Sequence, residues 1–193
     1  MFRLTALNIL IYSTLFSGAA KPDLLAADFG GGDVFAQGGQ YTELGSGGGT
    51  WAIVGGGGGA NLGRHLSLFV EGDYSRLSQS AGSISVHADL FVAGGGGRIY
   101  FPIASERVRL FVPAVGGFYR GRIGAILDYV SPQMISGAYA GGGFGAEIGV
   151  TKRFGLRPEF RYIREFWYPE FGQGTQNNAL RATVGAYYRF GVK

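Results

Sequence analysis

The chain contains no cysteine. That excludes disulfide staples, thiol catalysis, cysteine zinc sites and a lipid-modified N-terminal cysteine. Charge is also scarce. Asp, Glu, Lys and Arg make up 16% of 193 residues, below what a soluble globular surface carries. Proline occurs only six times. No apolar run reaches the roughly 17–25 residues of a membrane-crossing helix. The longest, residues 4–16, is interrupted by Asn8. The 17 cations outnumber the 13 anions but are spread along the chain rather than clustered, which argues against a nucleic-acid partner. No cofactor or metal site is expected.

What is abundant is glycine, 37 residues, together with 15 Phe and 11 Tyr. Without a G-X-Y period this is not collagen. The glycines and aromatics are interleaved inside apolar segments, which argues against a disordered tract. The N-terminus reads as a secretory signal: Arg3, then the apolar run 4–16, then Ser17, Gly18, Ala19 and Ala20. Cleavage is expected after Ala20, with Ala27 as the alternative. The expected organisation is a signal at 1–20, a flexible leader at 21–32 and one folded domain over 33–193. No further domain is expected.

Eight stretches alternate polar and apolar residues. In the last, Leu180, Ala182, Val184, Ala186, Tyr188 and Phe190 share one face, and Arg181, Thr183, Gly185, Tyr187 and Arg189 the other. A two-residue period means a strand with one apolar and one polar face. In a soluble sheet the apolar face meets a core; in a membrane barrel it meets lipid and the polar face lines the lumen. The predicted strands cover 33–44, 50–62, 66–79, 85–101, 109–122, 137–152, 156–168 and 179–192. Each exceeds the ~9–11 residues that a tilted strand needs to cross a bilayer. Short turns at 63–65, 102–108 and 153–155 alternate with a Gly-rich link at 45–49 and longer polar links at 80–84, 123–136 and 170–178. Short periplasmic turns opposite longer outer loops suit such a barrel. The glycine runs at 55–59, 94–97 and 141–143 fall inside strands. A phosphate-cradling loop should open a helix, and here strand patterns follow, so these runs read as crowded barrel wall.

The predicted fold class is all-β: an eight-stranded antiparallel, transmembrane, up-and-down β-barrel preceded by a cleaved signal peptide. The signal-plus-eight-strand layout resembles the small outer-membrane barrels of the OmpA/OmpX type. The chain's end strengthens the resemblance. Thr183, Gly185, Tyr188 and Phe190 fill the four places of the signal by which the barrel-assembly machinery recognises a last strand. Family members often end on the aromatic itself, whereas Gly191, Val192 and Lys193 follow here. The resemblance implies a location in the bacterial outer membrane, contact with outer-membrane lipid and lipopolysaccharide, and a monomer.

If Tyr188 and Phe190 face lipid, parity turns Arg181 and Arg189 inward. The same argument turns Glu71, Asp73, Glu147, Arg157, Glu159, Arg161 and Glu165 inward, and Phe144, Ile148, Phe160 and Tyr162 outward. Arg164 falls on the lipid parity near the outer end. Buried charge is costly unless paired, and an eight-stranded barrel is narrow enough to be filled by side chains. An ion-paired plug is therefore expected. In detail, Gly155 is expected to be left-handed in a three-residue turn that pairs Lys152 with Leu156. That register sets Glu147 opposite Arg161. A loop centred near Gly174 sets Glu159 opposite Arg189, with Glu165 diagonal to Arg181. Trp51, Tyr100, Phe101, Trp167 and Tyr168 fit interfacial girdles, and His65 a solvated turn.

These features favour a structural, adhesion or surface-interaction role. A narrow porin-like channel is the main alternative. A secreted soluble barrel holding an apolar ligand would reverse the facing. An enzyme acting on outer-membrane lipid would need a nucleophile and base near His87, Ser83 and Ser85, and no local motif for one is visible.

Overall fold

The period-2 alternation of eight segments is realised as eight strands. They are β1 (Phe29–Leu44), β2 (Thr50–Leu62), β3 (Leu66–Ala81), β4 (Ile84–Phe101), β5 (Val108–Ala125), β6 (Gln133–Gly149), β7 (Phe154–Trp167) and β8 (Gln176–Phe190). The structure is a computed structural model and describes residues 29–44, 49–81, 84–101, 107–125, 133–167 and 176–191. The expected signal, most of the leader, Tyr168 and the side chains of His87 and Trp167 lie outside the described residues. Every strand pairs antiparallel with its sequence neighbour, and β1 pairs with β8, so the sheet closes without an edge. Asp33 stands opposite Arg189 and Tyr41 opposite Arg181 across that closing seam.

Strand limits differ from the sequence expectation mainly at the ends. β1 starts four residues earlier, because Gly32 already pairs with Ala60 and with Phe190. At the end away from both termini the ladders continue through Ser80–Ser85 and Ala81–Ile84. Backbone pairing there needs no apolar face, so segments that read as polar loop remain strand. The 63–65 turn is as expected, with Gly63 left-handed at φ +76°. Two prolines thin the ladders from within. The β5–β6 pairing lapses around Pro113, and the β6–β7 pairing lapses opposite Pro158, since neither has an N–H to donate.

The facing is that of a membrane barrel. Val70, Phe91, Phe118, Phe144, Tyr162, Val184, Tyr188 and Phe190 are exposed on the outer wall, with Phe118 as much as 71% bare. Phe160 lies on the same wall, stacked on Phe144 at 5.4 Å between ring centroids. The charged residues are inside. A soluble barrel would have these faces exchanged, and so large an apolar exterior is stable only against lipid.

The lumen has two tiers. Toward the outer end it is apolar and aromatic, built from Tyr41, Ile53, Leu90, Val115, Tyr119, Tyr139 and Ile163. Toward the terminal end and the middle it is ionic. Glycine makes room for both. At mid-height the inward positions of β2, β4 and β6 are glycines, whereas those of β3 and β7 carry Phe69, Glu71, Asp73, Arg157, Glu159 and Arg161. Register sets small against large: Gly57 and Gly94 flank Glu71, Gly143 adjoins Arg161, and Gly145 adjoins Glu159 and Phe111. A Cβ on Gly143 would meet the Phe160 carbonyl and the Arg161 backbone, and one on Gly145 the Phe111 ring. The glycine runs are therefore the space into which the charged side chains of alternate strands fold.

Candidate functional site: the ionic lumen

The lower cluster is centred on Glu147 of β6, which is 1% exposed. Arg157 of β7 donates through Nη2 to Glu147 Oε1 at 2.7 Å and to Asp33 Oδ2 of β1 at 2.9 Å. Arg189 Nη2 reaches Glu147 Oε2 at 2.7 Å, Arg109 contacts the same oxygen, and the Tyr100 hydroxyl donates to Glu147 Oε1 at 2.8 Å. One carboxylate thus serves three guanidiniums and a phenol. That arrangement satisfies its lone pairs in a site that water does not reach freely.

The middle cluster is centred on Arg161, also 1% exposed. Its guanidinium bridges Glu71 of β3, with Nη2 to Oε2 at 3.0 Å, and Glu159 of its own strand. Arg181 of β8 adds a 2.7 Å bond to Glu71 Oε1 and a 2.7 Å ion pair with Asp73. Gln37 Nε2 donates to the other Asp73 oxygen at 2.9 Å. Arg161 and Arg181 stand directly opposite each other in the ladder. Two like charges at that spacing repel, and Glu71 reaching between them removes the conflict.

Arg98 of β4 is held differently. It is fully buried, and its guanidinium lies 3.9 Å from the Phe69 ring centroid, with Phe35 and Phe111 at 5.2 and 5.7 Å. Its nitrogens make no hydrogen bond within the described residues. A cation among aromatic faces keeps part of its electrostatic stabilisation without an acceptor.

All nine ionic residues named from the sequence lie inside the barrel, but their partners differ from the expected register. Gly149 pairs with Gly155 and Ile148 with Leu156, so β6 and β7 are offset by four residues from the Lys152–Leu156 pairing. Arg161 stands opposite Gly143, and Glu147 is salt-bridged to Arg157 instead. The cause is the turn. Residues 150–153 form it, and the Thr151 hydroxyl accepts from the Phe154 N–H at 2.9 Å and the Arg153 N–H at 3.2 Å. Gly155 is consequently in the strand and does not have a positive φ; its missing side chain clears the Tyr187 ring. The β7–β8 hairpin is offset by six. Glu159 opposes Thr183 rather than Arg189, and Glu165 opposes Asn177, where the Tyr41 hydroxyl donates to it. Both offsets are even, so facing is preserved while every named ion pair changes.

Two expected girdle aromatics also point the other way. Tyr100 is buried against Glu147 and Phe111, and Trp51 turns in against Tyr41 at 6.5 Å between centroids. Phe101 is exposed on the outer wall and His65 in its turn. Sequence reasoning missed Asp33, Arg98 and Arg109. For Arg98 and Arg109 the signal is present: they alternate with Ile99 and Phe101, and with Leu110 and Val112. For Asp33 it is weak, because the outward neighbours Val34, Ala36 and Gly38 shrink toward glycine. With these added, the carboxylates Asp33, Glu71, Asp73, Glu147, Glu159 and Glu165 face the guanidiniums Arg98, Arg109, Arg157, Arg161, Arg181 and Arg189. Half-buried Glu43, on the same inward parity of β1, is a seventh carboxylate, so the two signs nearly balance.

Of Thr183, Gly185, Tyr188 and Phe190, the first two face the lumen and the last two lie exposed on the outer wall. A small cavity of about 30 Å³ lies in the aromatic tier, between Tyr41, Ile53, Leu90, Tyr119 and Tyr139. It holds little more than a water or two.

No protein-family model and no curated protein matches the chain. Solved structures do. Neisserial surface protein A superposes with a TM-score of 0.67 at 16% identity, over 82% of this chain and 97% of that one. Ail, the attachment invasion locus protein of Yersinia pestis, gives 0.57 at 13% identity, over 83% and 99%. A major outer membrane protein from Thermus thermophilus gives 0.50 at 15% identity, over 83% and 98%. With the closed eight-stranded topology and the lipid-facing exterior, these likenesses make the fold that of the small outer-membrane β-barrels of the OmpA/OmpX type.

Proposed function

We propose that the chain is a bacterial outer-membrane barrel with a closed lumen and a structural, adhesion or surface-interaction role. The observation that carries this reading is the web of ion pairs that ties carboxylates to arginines across the lumen, among them Asp33–Arg157, Glu71–Arg161 and Asp73–Arg181. A steady solute pore needs a continuous water path, and charges tied to one another line no such path. The same pairing speaks against catalysis, since a general acid–base pair needs carboxylates with separated environments rather than shared arginines. Among proteins of this fold Ail is an attachment protein by name, and attachment is a role that a closed barrel can fill through its rim. Outer-membrane lipid and lipopolysaccharide are the proposed surroundings, the protein acts as a monomer, and Thr183, Gly185, Tyr188 and Phe190 are the proposed signal for the barrel-assembly machinery.

The test has two arms. In cells, the chain should fractionate with the outer membrane and migrate in a heat-modifiable way on detergent gels, and Phe190→Ala should lower its amount there. In planar bilayers the purified protein should show no steady conductance, whereas Arg161→Ala should leak. A steady wild-type conductance replaces this reading with the porin-like one, and a chain found only in soluble fractions replaces it with the secreted barrel.

A further inference from the structure

The short links at the terminal end of the barrel are basic. Residues 63–65, 102–107 and 150–153 hold Arg64, Arg107, Lys152 and Arg153, with Glu106 as their one carboxylate. The links at the other end, 45–49, 82–83, 126–132 and 168–175, hold Asp128 and Glu170 and no lysine or arginine. Backbone contacts gather most of the cations on one side of the rim. The Arg107 carbonyl accepts from the Gly149 N–H at 2.7 Å, and the Arg153 carbonyl from the Arg189 N–H at 2.6 Å. Lys152 and Arg153 stand exposed in their turn, and Arg107 just before β5. Behind them the lumen mouth shows two more guanidiniums. Arg109 and Arg189, whose side chains are 32% and 19% exposed, meet at Glu147 Oε2. Glu147 is at the same time tied to Arg157, which Asp33 shares. Arg107, Arg109, Lys152, Arg153, Arg157 and Arg189 thus stand against Glu147, Asp33 and, in sequence, Glu106. Six cations against three carboxylates leave an excess of three positive charges at one mouth.

Phe101, Phe154, Tyr188 and Phe190 are exposed on the outer wall at this end and mark the edge of the hydrocarbon. The link cations lie beyond them, in water, on the side where short turns belong, the periplasm. Arg109 and Arg189 lie on the lumen parity, so they open onto the mouth, where headgroups packed around the wall do not reach. The mouth leads nowhere, because the Glu147–Arg157–Asp33 network closes it. A partner of this patch is therefore anionic, periplasmic and met end-on. We infer that the patch docks the barrel on the carboxylates of peptidoglycan peptide stems. Guanidiniums take carboxylates in two-bond forks. One exposed pair of this kind is worth little. A cross-linked polymer presents many carboxylates, and simultaneous engagement turns weak pairs into stable attachment. Cations spread over three links and two strands suit such a repeating partner better than a single small anion. The inference rests on the outer-membrane reading, which sets this end in the periplasm, and names the partner met there.

The experiment sediments the full chain, held in phosphatidylcholine nanodiscs, with purified peptidoglycan sacculi. Parallel runs use sacculi whose carboxyl groups have been converted to amides, and phosphatidylglycerol vesicles in place of sacculi. The wild type should sediment with native sacculi, be released as salt rises and lose most of its binding to the amidated ones. Lys152→Gln/Arg153→Gln should weaken binding roughly five- to tenfold, as expected for two exposed ion pairs. Arg76→Gln, exposed on β3 toward the other end, should bind as the wild type does. Equal binding to native and amidated sacculi overturns the inference, and that arm needs no variant to fold. So does a folded Lys152→Gln/Arg153→Gln chain with wild-type binding, or a wild type that ignores sacculi while it binds phosphatidylglycerol vesicles. Failure to find the chain in the outer membrane of cells overturns the underlying reading, whatever the sacculi retain.

Discussion

Arg161 and Arg98 are both arginines, both fully buried and both beside the Phe69 ring, yet they are held by different physics. Arg161 is shared by Glu71 and Glu159 and lies 5.3 Å from the Phe69 ring centroid. Removing it takes away the guanidinium of buried Glu159 and leaves Glu71 to Arg181 alone, which costs several kcal/mol. Arg98 has the rings of Phe35, Phe69 and Phe111 around it and no bonded carboxylate among the described residues. Replacing it by an unbranched apolar residue leaves no orphaned partner. Arg161→Ala is therefore expected to lower the unfolding free energy in detergent and urea by about 3–5 kcal/mol, and Arg98→Met to change it by less than about 1 kcal/mol in either direction. Equal losses would show that Arg98 has a carboxylate partner in solution. The contrast lay beyond the sequence. Parity tells which way a side chain points, but several partners come from distant strands, 90 positions away in Arg161–Glu71 and 124 in Arg157–Asp33.

At the scale of the element, the turns decide the partners. The alternation of β6 and β7 is the same whether the hairpin closes at 150–153 or 153–155. A shift of four residues returns every side chain to its own face, so hydrophobic patterning does not distinguish the two. What distinguishes them is one hydroxyl, Thr151, accepting from two backbone N–H groups. Thr151→Ala is expected to cost about 1 kcal/mol, on the scale of a lost side-chain cap, while Thr151→Ser retains most of it; urea unfolding of the two variants in the same detergent measures the difference. Equal stability of the alanine and serine variants would mean that the register is held by the ion pairs and not by the turn. The strands were legible because each carries several alternations. The fine pairing was not, because one polar side chain in a turn outweighs a guess made from the position of a glycine.

At the scale of the whole molecule, composition and function are one problem. A lumen holding so many charged side chains within eight strands has little volume to spare. The glycines of β2, β4 and β6 give up theirs to Glu71, Arg161, Glu159 and Phe111 from neighbouring strands. The exterior then has to be apolar, since the polar residues are spent inside, and that is why charge is low while Phe and Tyr are abundant. The barrel is thus inverted relative to a soluble one: lipid outside, charge inside. The most direct measurement is a set of methyl-to-lipid nuclear Overhauser effects on the unmodified chain in nanodiscs. Ile53 and Val54 are adjacent in sequence, yet one is 8% and the other 61% exposed. Cross-peaks to lipid methylenes are expected from Val54, Val70 and Val184, and none from Ile53, Leu90 or Ile163. Lipid cross-peaks from Ile53, Leu90 and Ile163, with Val54, Val70 and Val184 silent, would contradict it.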